Sequence, residues 1–434
     1  MARRFNMGTT AQKLQAIANS KAAIKQAIEN KGVQDVGDVL ADYPQKISDI
    51  KDTRCGISLD DIFVVKDGVM GRQIANQVTH FTALSAPGVS SLTNQFALSH
   101  AFYKTTTISG VYFPDLTSVT GYGMDEAFYQ PHRMYEVSMP KVKDVGASGM
   151  RMAMRGKEEQ GGNSLSSLNL SSLETIGVSG LYEAFYGHRN LKDFHMGSLV
   201  SVGNYGLYDA FQSCTHLPKW DEPNLSSVGD YGMYQATYYA SGMNYANMPN
   251  LKTIGQRGMY GCFYYTGISA ANMENVETIG NYCFYQGFQH TTKLKSFSLP
   301  KLTTIPTYGL FWALYQSGVE EVNLSSVTTV GTYGLNNAFY GCNKLKKVWL
   351  SNLSSTTTNS LVQTFYGCSK LELVDFSQAA AVPALQNTNS FTSTNSTYKI
   401  VVPDALYDTW IATTNWSSSS IKSHIVRVSD YTYT

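Results

Sequence analysis

The sequence predicts a solenoid of short, stacked coils with a parallel β-sheet on one face. One residue frame can be laid eleven times along the chain, and successive copies are 25 or 26 residues apart in all but one case. Each copy also places apolar, small and glycine residues in the same slots, as stacked identical coils require. Slot zero of the frame is occupied by Ser90, Leu116, Val142, Leu173, Leu199, Leu225, Leu251, Val276, Leu302, Val327 and Leu353.

The downstream slots of the frame predict the core. Slot +8 is apolar in every copy, and slot +12 is Phe in eight copies, including Phe211 and Phe339. Slot +11 is small, as expected where a larger side chain would force neighbouring coils apart. Glycines at +4 and +7, such as Gly203 and Gly206, are predicted to form bends at positive φ.

The residues before each frame predict a strand. Apolar residues at −8, −5, −3 and 0, as in "LKDFHMGSL" (191–199), indicate a short strand with alternate residues inside, and neighbouring copies pair in parallel. Glu222 departs from the pattern because it occupies an inward slot, so we expect its coil to be irregular.

Two stretches carry a family resemblance. "LKSFSLPKLTTIPTYGLFWALYQS" and "VEEVNLSSVTTVGTYGLNNAFYGC" resemble the BspA-like type of leucine-rich repeat over roughly residues 106–376. The resemblance implies a leucine-rich repeat solenoid that is rich in β-structure, with an α/β repeat and a parallel sheet on one face. A small helical N-terminal module and a capped C-terminus complete the expected fold.

The chain divides into four predicted segments. Apolar residues at helical spacing predict two short helices near the N-terminus, and Asp67 with Gly68 predicts a hairpin turn after them. Near the C-terminus, "KIVV" predicts a strand and Pro403 with Asp404 a helix start. The segments are a helical anchoring module (1–52), an N-terminal cap (53–89), an array of about 11 repeats of 26 residues (90–378) and a C-terminal cap (379–434).

The N-terminal segment carries a second resemblance. "KAAIKQAIENKGVQDVGDVLADYPQKISDI" (21–50) is similar to the helical leaders of bacteriophage tail and fibre proteins, including those of phages that infect gut Bacteroidetes. This implies that residues 1–52 bind other virion proteins, and we expect a homo-oligomer. The first 21 residues contain no apolar segment of a signal peptide, so we expect assembly into a virion in the host cytoplasm rather than export.

Composition excludes several classes of partner. The 33 basic and 32 acidic residues give a net charge of +1 without a block of one sign, so we expect no nucleic acid partner. No stretch approaches 18 consecutive apolar residues, so we expect no membrane insertion.

The six cysteines and eight histidines predict no metal site and no cofactor, because they form no pair at ligand spacing. Cys214, Cys342 and Cys368 share slot +15, which indicates buried reduced thiols, with a disulfide between the last two as the alternative. The sequence shows no pattern of a catalytic nucleophile with its base, so we expect that the protein is not an enzyme.

Two surfaces are candidates for binding. Tyrosine fills slot +13 in eight coils, either to stack neighbouring coils together or to face a ligand. The outward strand slots vary over a constant frame, as expected either for a recognition surface or for neutral drift on a solvated sheet. We select His195, Tyr245, Asn247 and Trp349 from these slots as candidate ligand contacts.

These observations favour a non-enzymatic bacteriophage virion protein. It would be a tail fibre, or a surface-exposed fibre or decoration, that recognises a host surface glycan or protein, and a purely architectural decoration is the alternative within this class. A second class is a BspA-like adhesin on the bacterial cell surface. The third is a glycan-degrading tailspike enzyme, which would need a pair of neighbouring carboxylates, whereas the acidic residues here are dispersed.

Overall fold

A computed structural model describes residues 56–57, 83–92, 96–157 and 165–433. The predicted helical module (1–52) and the predicted hairpin at Asp67 and Gly68 lie outside the described residues. The described residues belong mainly to the repeat array and the C-terminal cap.

Each coil of the array contains two short strands and a return arc. A strand of mostly three residues contributes to a first sheet, and a strand of two residues contributes to a second sheet. In chain order the strands are β1 (Gly56–Ile57), β2 (Ala83–Ser85), β3 (Ser91–Leu92), β4 (Gly110–Tyr112), β5 (Ser118–Val119), β6 (Glu136–Ser138), β7 (Asp144–Val145), β8 (Ser167–Asn169), β9 (Thr175–Ile176), β10 (Asp193–His195), β11 (Ser201–Val202), β12 (Trp220–Asp221), β13 (Ser227–Val228), β14 (Tyr245–Asn247), β15 (Thr253–Ile254), β16 (Ala270–Asn272), β17 (Thr278–Ile279), β18 (Ser296–Ser298), β19 (Thr304–Ile305), β20 (Glu321–Asn323), β21 (Thr329–Val330), β22 (Lys347–Trp349), β23 (Ser355–Thr356), β24 (Leu373–Asp375), β25 (Lys399–Val402) and β26 (Ile425–Arg427).

Both sheets are parallel, and equal slots pair across neighbouring coils. In the first sheet β10 pairs with β8 so that Phe194 lies opposite Leu168, and in the second sheet β11 pairs with β13 so that Val202 lies opposite Val228. The first sheet is interrupted between β10 and β12 and between β16 and β18, and the second between β17 and β19. The predicted parallel-sheet solenoid is confirmed, and the second sheet is an addition that the repeat pattern did not predict.

The core is formed by every second residue of the strands. In β10 the side chain of Phe194 is buried while Asp193 and His195 are exposed. Slot +12 faces inward as predicted: Phe185 and Phe211 are fully buried and their rings stack with centroids 5.3 Å apart.

The return arc consists of consecutive turns. In one coil, the amide of Leu207 donates to the carbonyl of Gly232 in the next coil at 2.7 Å, whereas the amide of Ala210 donates to Leu207 in its own coil at 3.2 Å. The same alternation repeats along the arc. Amides at even-numbered slots donate to carbonyls of the next coil, and amides at odd-numbered slots donate to carbonyls of their own coil and close a turn. The backbone groups of the arc are thereby satisfied without a helix or a regular strand.

The glycines at slots +4 and +7 have a steric role rather than the conformational role that was predicted. The prediction that Gly203 and Gly206 adopt positive φ is wrong, since positive φ occurs instead at slots +6, +10 and +14 of the same coil, at Tyr205, Asp209 and Ser213. A Cβ on Gly203 would lie 3.0 Å from the backbone carbon of Gly177. Glycine is therefore favoured at +4 in coils such as this one, because backbones of neighbouring coils approach closely there.

The coil of Glu222 is irregular, as its sequence predicted. Strand β12 has only two residues and does not pair with β10. Glu222 is fully buried, and its Oε2 accepts a hydrogen bond from the amide of Leu199 at 3.1 Å. Burial raises the pKa of this carboxyl to about 8.

The C-terminal cap continues the first sheet. Strand β25 pairs in parallel with β24, and β26 pairs with β25, so the predicted "KIVV" strand is confirmed. Trp410 and Trp416 are buried against Phe376. The cap also contains α1 (Tyr407–Ala412), α2 (Ser419–Lys422) and the 3-10 turns Thr388–Phe391, Asp404–Leu406 and Val428–Asp430.

The described cysteines are buried reduced thiols. Cys342 Sγ donates to the carbonyl of Leu314 at 2.9 Å, and Cys368 Sγ donates to that of Phe339 at 3.1 Å. Burial raises the pKa of both thiols, so they pack as small apolar groups.

Candidate recognition surface on the first sheet

Three of the four predicted contact residues share one slot on the outer face of the first sheet. His195, Asn247 and Trp349 each occupy slot −4, the last residue of their strands, and Tyr245 lies two residues before Asn247. All four side chains are exposed or half-buried. The parallel register therefore places the first three in a single row along the solenoid.

The row is too long for one small ligand to contact every member. Six coil steps separate His195 from Trp349, and neighbouring strands lie about 4.8 Å apart, so the two residues are on the order of 29 Å apart. The outer face therefore contains three separate clusters, around His195, around Tyr245 with Asn247, and around Trp349.

Trp349 borders a depression of about 340 Å³ in the outer face. The depression crosses strands β18, β20 and β22, and small outward residues beside the indole leave the space. Register pairing places Ser298 opposite Asn323 and Asn323 opposite Trp349. The lining residues are Ser296, Phe297, Ser298, Glu321, Asn323, Ser325 and Trp349.

The lining is polar except for the indole and Phe297, whose side chain lies in the core. Asn323 Oδ1 accepts a hydrogen bond from the amide of Ser325 at 3.0 Å, which fixes the Asn323 side chain. Glu321 is the one lining residue with an ionisable side chain. The depression thus offers hydroxyl, amide and carboxylate groups beside one aromatic wall.

The residue that follows Trp349 on the outer face is in contact with the C-terminal tail. Asp375 lies opposite Trp349 in the register and is buried, and its Oδ1 accepts a hydrogen bond from the hydroxyl of Tyr433 at 2.7 Å. The hydroxyl of Ser351 also donates to Asp375. Asp375 is therefore committed to holding the tail.

Tyr245 and Asn247 belong to a network around Asp221. Asn247 Nδ2 donates to Asp221 Oδ1 at 2.9 Å, and the Tyr245 hydroxyl donates to Oδ2 at 3.3 Å. Lys219 Nζ lies 3.0 Å from the same Oδ2. Burial opposes ionisation of Asp221, but these hydrogen bonds outweigh it and lower the pKa of its carboxyl. Tyr245 and Asn247, both predicted ligand contacts, are therefore hydrogen-bonded to Asp221 within the sheet.

His195 lies in a small exposed cluster. Its Nε2 is 2.8 Å from Asp193 Oδ1, and the Ser167 hydroxyl donates to Asp193 Oδ2 at 2.7 Å. The Ser167 hydrogen bond is the main cause of the lowered pKa of Asp193. His195, Asp193 and Ser167 do not line the depression beside Trp349, so the cluster is a weaker candidate than Trp349.

The tyrosines of slot +13 stack between coils. The rings of Tyr238 and Tyr264 are parallel with centroids 4.4 Å apart, as are those of Tyr340 and Tyr366 at 4.6 Å. Their faces are therefore covered by one another, which favours the structural interpretation of this stripe.

A second ladder at slot +9 was missed by the sequence analysis. It runs through six successive coils with centroid distances between 4.6 and 5.1 Å. An aromatic residue in this slot of six successive copies was the available signal. The ladder comprises Tyr182, Tyr208, Tyr234, Tyr260, Tyr285 and Phe311.

Metal-binding clusters and membrane-spanning helices are both absent from the described part of the chain. No group of three or more His, Cys, Asp or Glu side chains there has an arrangement that could hold a metal ion. No helix in the same residues combines the length and apolar character of a membrane span.

Comparison with solved structures finds other leucine-rich repeat proteins. One from Bacteroides ovatus is 16% identical, with 80% of this chain and 92% of that chain covered and a TM-score of 0.39. A leucine-rich cell surface protein from Faecalibacterium prausnitzii is 16% identical, with 76% and 90% covered and a TM-score of 0.32. One from Leptospira interrogans is 12% identical, with 87% and 92% covered and a TM-score of 0.27. No curated protein sequence matches the chain.

Comparison with family models identifies the repeat. The model described as a BspA type leucine-rich repeat region of six copies matches residues 160–287, 252–395 and 286–433. Together these matches cover more than half of the chain, and they include the coils that form the Trp349 depression. The chain therefore belongs to the BspA type leucine-rich repeat family.

Proposed function

We propose that the protein is a non-enzymatic recognition protein whose outer sheet face binds a component of a bacterial surface. The observation that carries the proposal is the depression beside Trp349, where outward side chains from three paired strands converge. Because these side chains project from hydrogen-bonded strands, little conformational entropy is lost when a ligand binds.

The polar groups at this site support binding rather than hydrolysis. Glycoside hydrolysis uses two carboxyl groups on either side of the scissile bond. The lining of the depression contributes one, from Glu321. The neighbouring carboxylate of Asp375 is buried and accepts hydrogen bonds from Ser351 and Tyr433.

We also propose that the protein is a component of a bacteriophage particle, as a tail fibre or surface decoration attached through residues 1–52. The support is the similarity of residues 21–50 to virion leaders. A cell-surface adhesin is the second candidate, and membership of the BspA type family favours it.

Capture of envelope fractions from gut Bacteroidetes by the full-length protein tests the recognition function. We expect capture by the native protein and by Tyr265→Ala, which removes an exposed tyrosine from the return arc. We expect Trp349→Ala to reduce capture strongly, and Tyr245→Ala to reduce it less because Tyr245 is bonded to Asp221. Equal capture by native protein and Trp349→Ala would contradict the proposal.

Mass spectrometry of purified phage particles and of washed bacterial envelopes separates the two locations. On the virion proposal, the protein is found in particles, and deletion of residues 1–52 abolishes its incorporation. Recovery from bacterial envelopes alone, or incorporation without residues 1–52, would contradict attachment through this module.

A further inference from the structure

We infer that the depression beside Trp349 binds an uncharged saccharide. The inference rests on the proposed function, since it names the class of surface component that this face recognises. The aromatic wall, the polar groups, the charge and the size of the depression support it.

The aromatic wall suits the apolar face of a sugar ring. Trp349 is half-buried at the end of β22, between Asn323 and Asp375 in the register. Pyranose rings carry C–H groups on their faces and hydroxyls around their edges. An indole that is fixed by its strand and partly open to solvent can therefore stack on a sugar while the ring edge remains accessible to polar groups.

The polar groups of the depression match the edge of a sugar ring. Ser296, Ser298 and Ser325 offer hydroxyls that donate and accept, Asn323 offers an amide, and Glu321 offers carboxylate acceptors. Sugar hydroxyls both donate and accept, so they can satisfy this mixed set. A wholly apolar ligand would leave the same groups unpaired, which disfavours it.

The charge of the depression selects against anionic ligands. Glu321 supplies a negative charge to the lining, and the lining residues include no Lys, Arg or His. On the neighbouring coil, Lys346 Nζ is paired with Glu320 Oε2 at 2.9 Å. Lys347 lies opposite Glu321 in the register, one strand further along, so these two opposite charges leave this part of the face close to neutral. An uncharged sugar needs no counter-charge there, whereas sialic acids, uronic acids and phosphorylated sugars would add a negative charge beside Glu321.

The size and shape of the depression suit a short part of a glycan. Its volume of about 340 Å³ lies at the lower end of ligand sites. It opens onto the outer face, along which coils repeat every 4.8 Å or so. One or two sugar units fill the depression while the rest of the glycan continues over the sheet.

Titration of the full-length protein with defined oligosaccharides tests the inference. The neutral probes are cellohexaose, xylohexaose, mannohexaose and maltohexaose, the anionic probe is hexagalacturonate, and choline serves as a cationic probe. Calorimetry reports affinity. We expect at least one neutral probe to bind more tightly than both hexagalacturonate and choline. No binding by any neutral probe at millimolar concentration, or preferential binding of choline, would overturn the inference.

Three variants locate the site. We expect Trp349→Ala to weaken neutral-probe binding by about tenfold or more, as for loss of a central aromatic contact. Trp312→Phe, a control on the return arc, should leave the affinity unchanged. Glu321→Gln should change it less than about threefold, because the amide keeps an acceptor oxygen for a neutral sugar. Binding that is insensitive to Trp349→Ala, or abolished by Glu321→Gln, would contradict an uncharged saccharide at this site.

Chemical treatment of the envelope separates failure of this inference from failure of the proposed function. Periodate cleaves the vicinal diols of sugars, whereas protease removes proteins. We expect periodate to abolish capture that depends on Trp349, and protease to leave it. Capture that depends on Trp349 but resists periodate and is lost with protease would overturn the saccharide inference while leaving surface recognition intact.

Discussion

The guanidinium of Arg155 lies over the ring of Tyr186, with Cζ 4.4 Å from the ring centroid, in the slot that tyrosine fills in eight other coils. On its other side it lies 5.9 Å from the ring centroid of Tyr129, and it also pairs with Glu183. A flat cation thus replaces a flat aromatic ring in the same stack. The slot therefore favours flat groups that stack between coils, with glutamine only at Gln212 and Gln289, and this preference indicates a structural role.

The aromatic ladders are expected to couple neighbouring coils energetically. The rings of Tyr208 and Tyr234 are almost parallel, with centroids 4.6 Å apart. A double-mutant cycle with Tyr208→Leu and Tyr234→Leu should give a coupling of about 0.5–1.5 kcal/mol in the free energy of unfolding. The control pair, Tyr208→Leu with Tyr340→Leu, should be additive because Tyr340 lies several coils away. Additivity of the first pair would mean that stacking contributes nothing beyond burial.

The phenylalanines of slot +12 are expected to contribute strongly to stability. Phe211 and Phe339 are fully buried, so Phe211→Ala and Phe339→Ala should each lower the free energy of unfolding by about 3–5 kcal/mol. Lys192→Ala, at an exposed position, should change it by less than about 0.5 kcal/mol. Denaturant titration measures all three. Losses below about 1 kcal/mol at both phenylalanines would show that slot +12 does not form the core.

Slot +7 is expected to tolerate alanine poorly for steric reasons. A Cβ on Gly149 would lie 2.2 Å from the carbonyl oxygen of Val119 in the preceding coil. Gly149→Ala should therefore destabilise the protein by about 1–3 kcal/mol, because the backbone of that coil must move. Gly197→Ala is the matched control, since its Cβ would meet only the Asp221 oxygen at 3.4 Å. Equal thermal stability of the two variants would refute close coil packing at this slot.

Glu222 is expected to make stability depend on pH. Burial raises the pKa of its carboxyl to about 8 from the ordinary value of 4.5, so the folded protein retains this proton to higher pH than the unfolded chain. The contribution of Glu222 to the free energy of unfolding should therefore fall as pH rises between these values, by about 1.4 kcal/mol per pH unit.

Glu222→Gln isolates this contribution. The amide oxygen can still accept the hydrogen bond from the Leu199 amide, but the side chain no longer titrates. Measured from pH 5 to pH 8, the stability of the variant relative to the native protein should rise. Asp209, whose pKa burial also raises to about 8, contributes equally to both proteins and cancels. Parallel pH profiles would contradict the buried position of Glu222.

The repeat frame predicted most of the array because each slot recurs in every coil. Phe211 is inside and His195 is outside, as their slots indicated. The second sheet was not predicted because strands such as Ser201–Val202 contain two residues, too few to show alternation. The positive φ at Tyr205 was not predicted because glycine, the usual signal for that conformation, is absent there.

The candidate site was predicted only in part. Variation in the outward strand slots pointed to the outer face of the first sheet and selected Trp349 as a candidate. The depression arises because Ser298 and Asn323 are smaller than the indole that follows them, a contrast visible only when slots are compared between coils. Beside Trp349, the contact between Tyr433 and Asp375 joins two residues that are 58 positions apart and occupy unrelated sequence patterns. Local sequence patterns do not determine such a contact.

Hydroxyl-radical footprinting of the full-length protein, with and without bound envelope, tests most directly whether the outer face of the first sheet is the recognition surface. We expect protection of Trp349 and of strands β20 and β22, while Tyr239 and Tyr265 on the return arc remain as reactive as in the free protein. Protection confined to the return arc, with Trp349 unchanged, would contradict recognition through the first sheet.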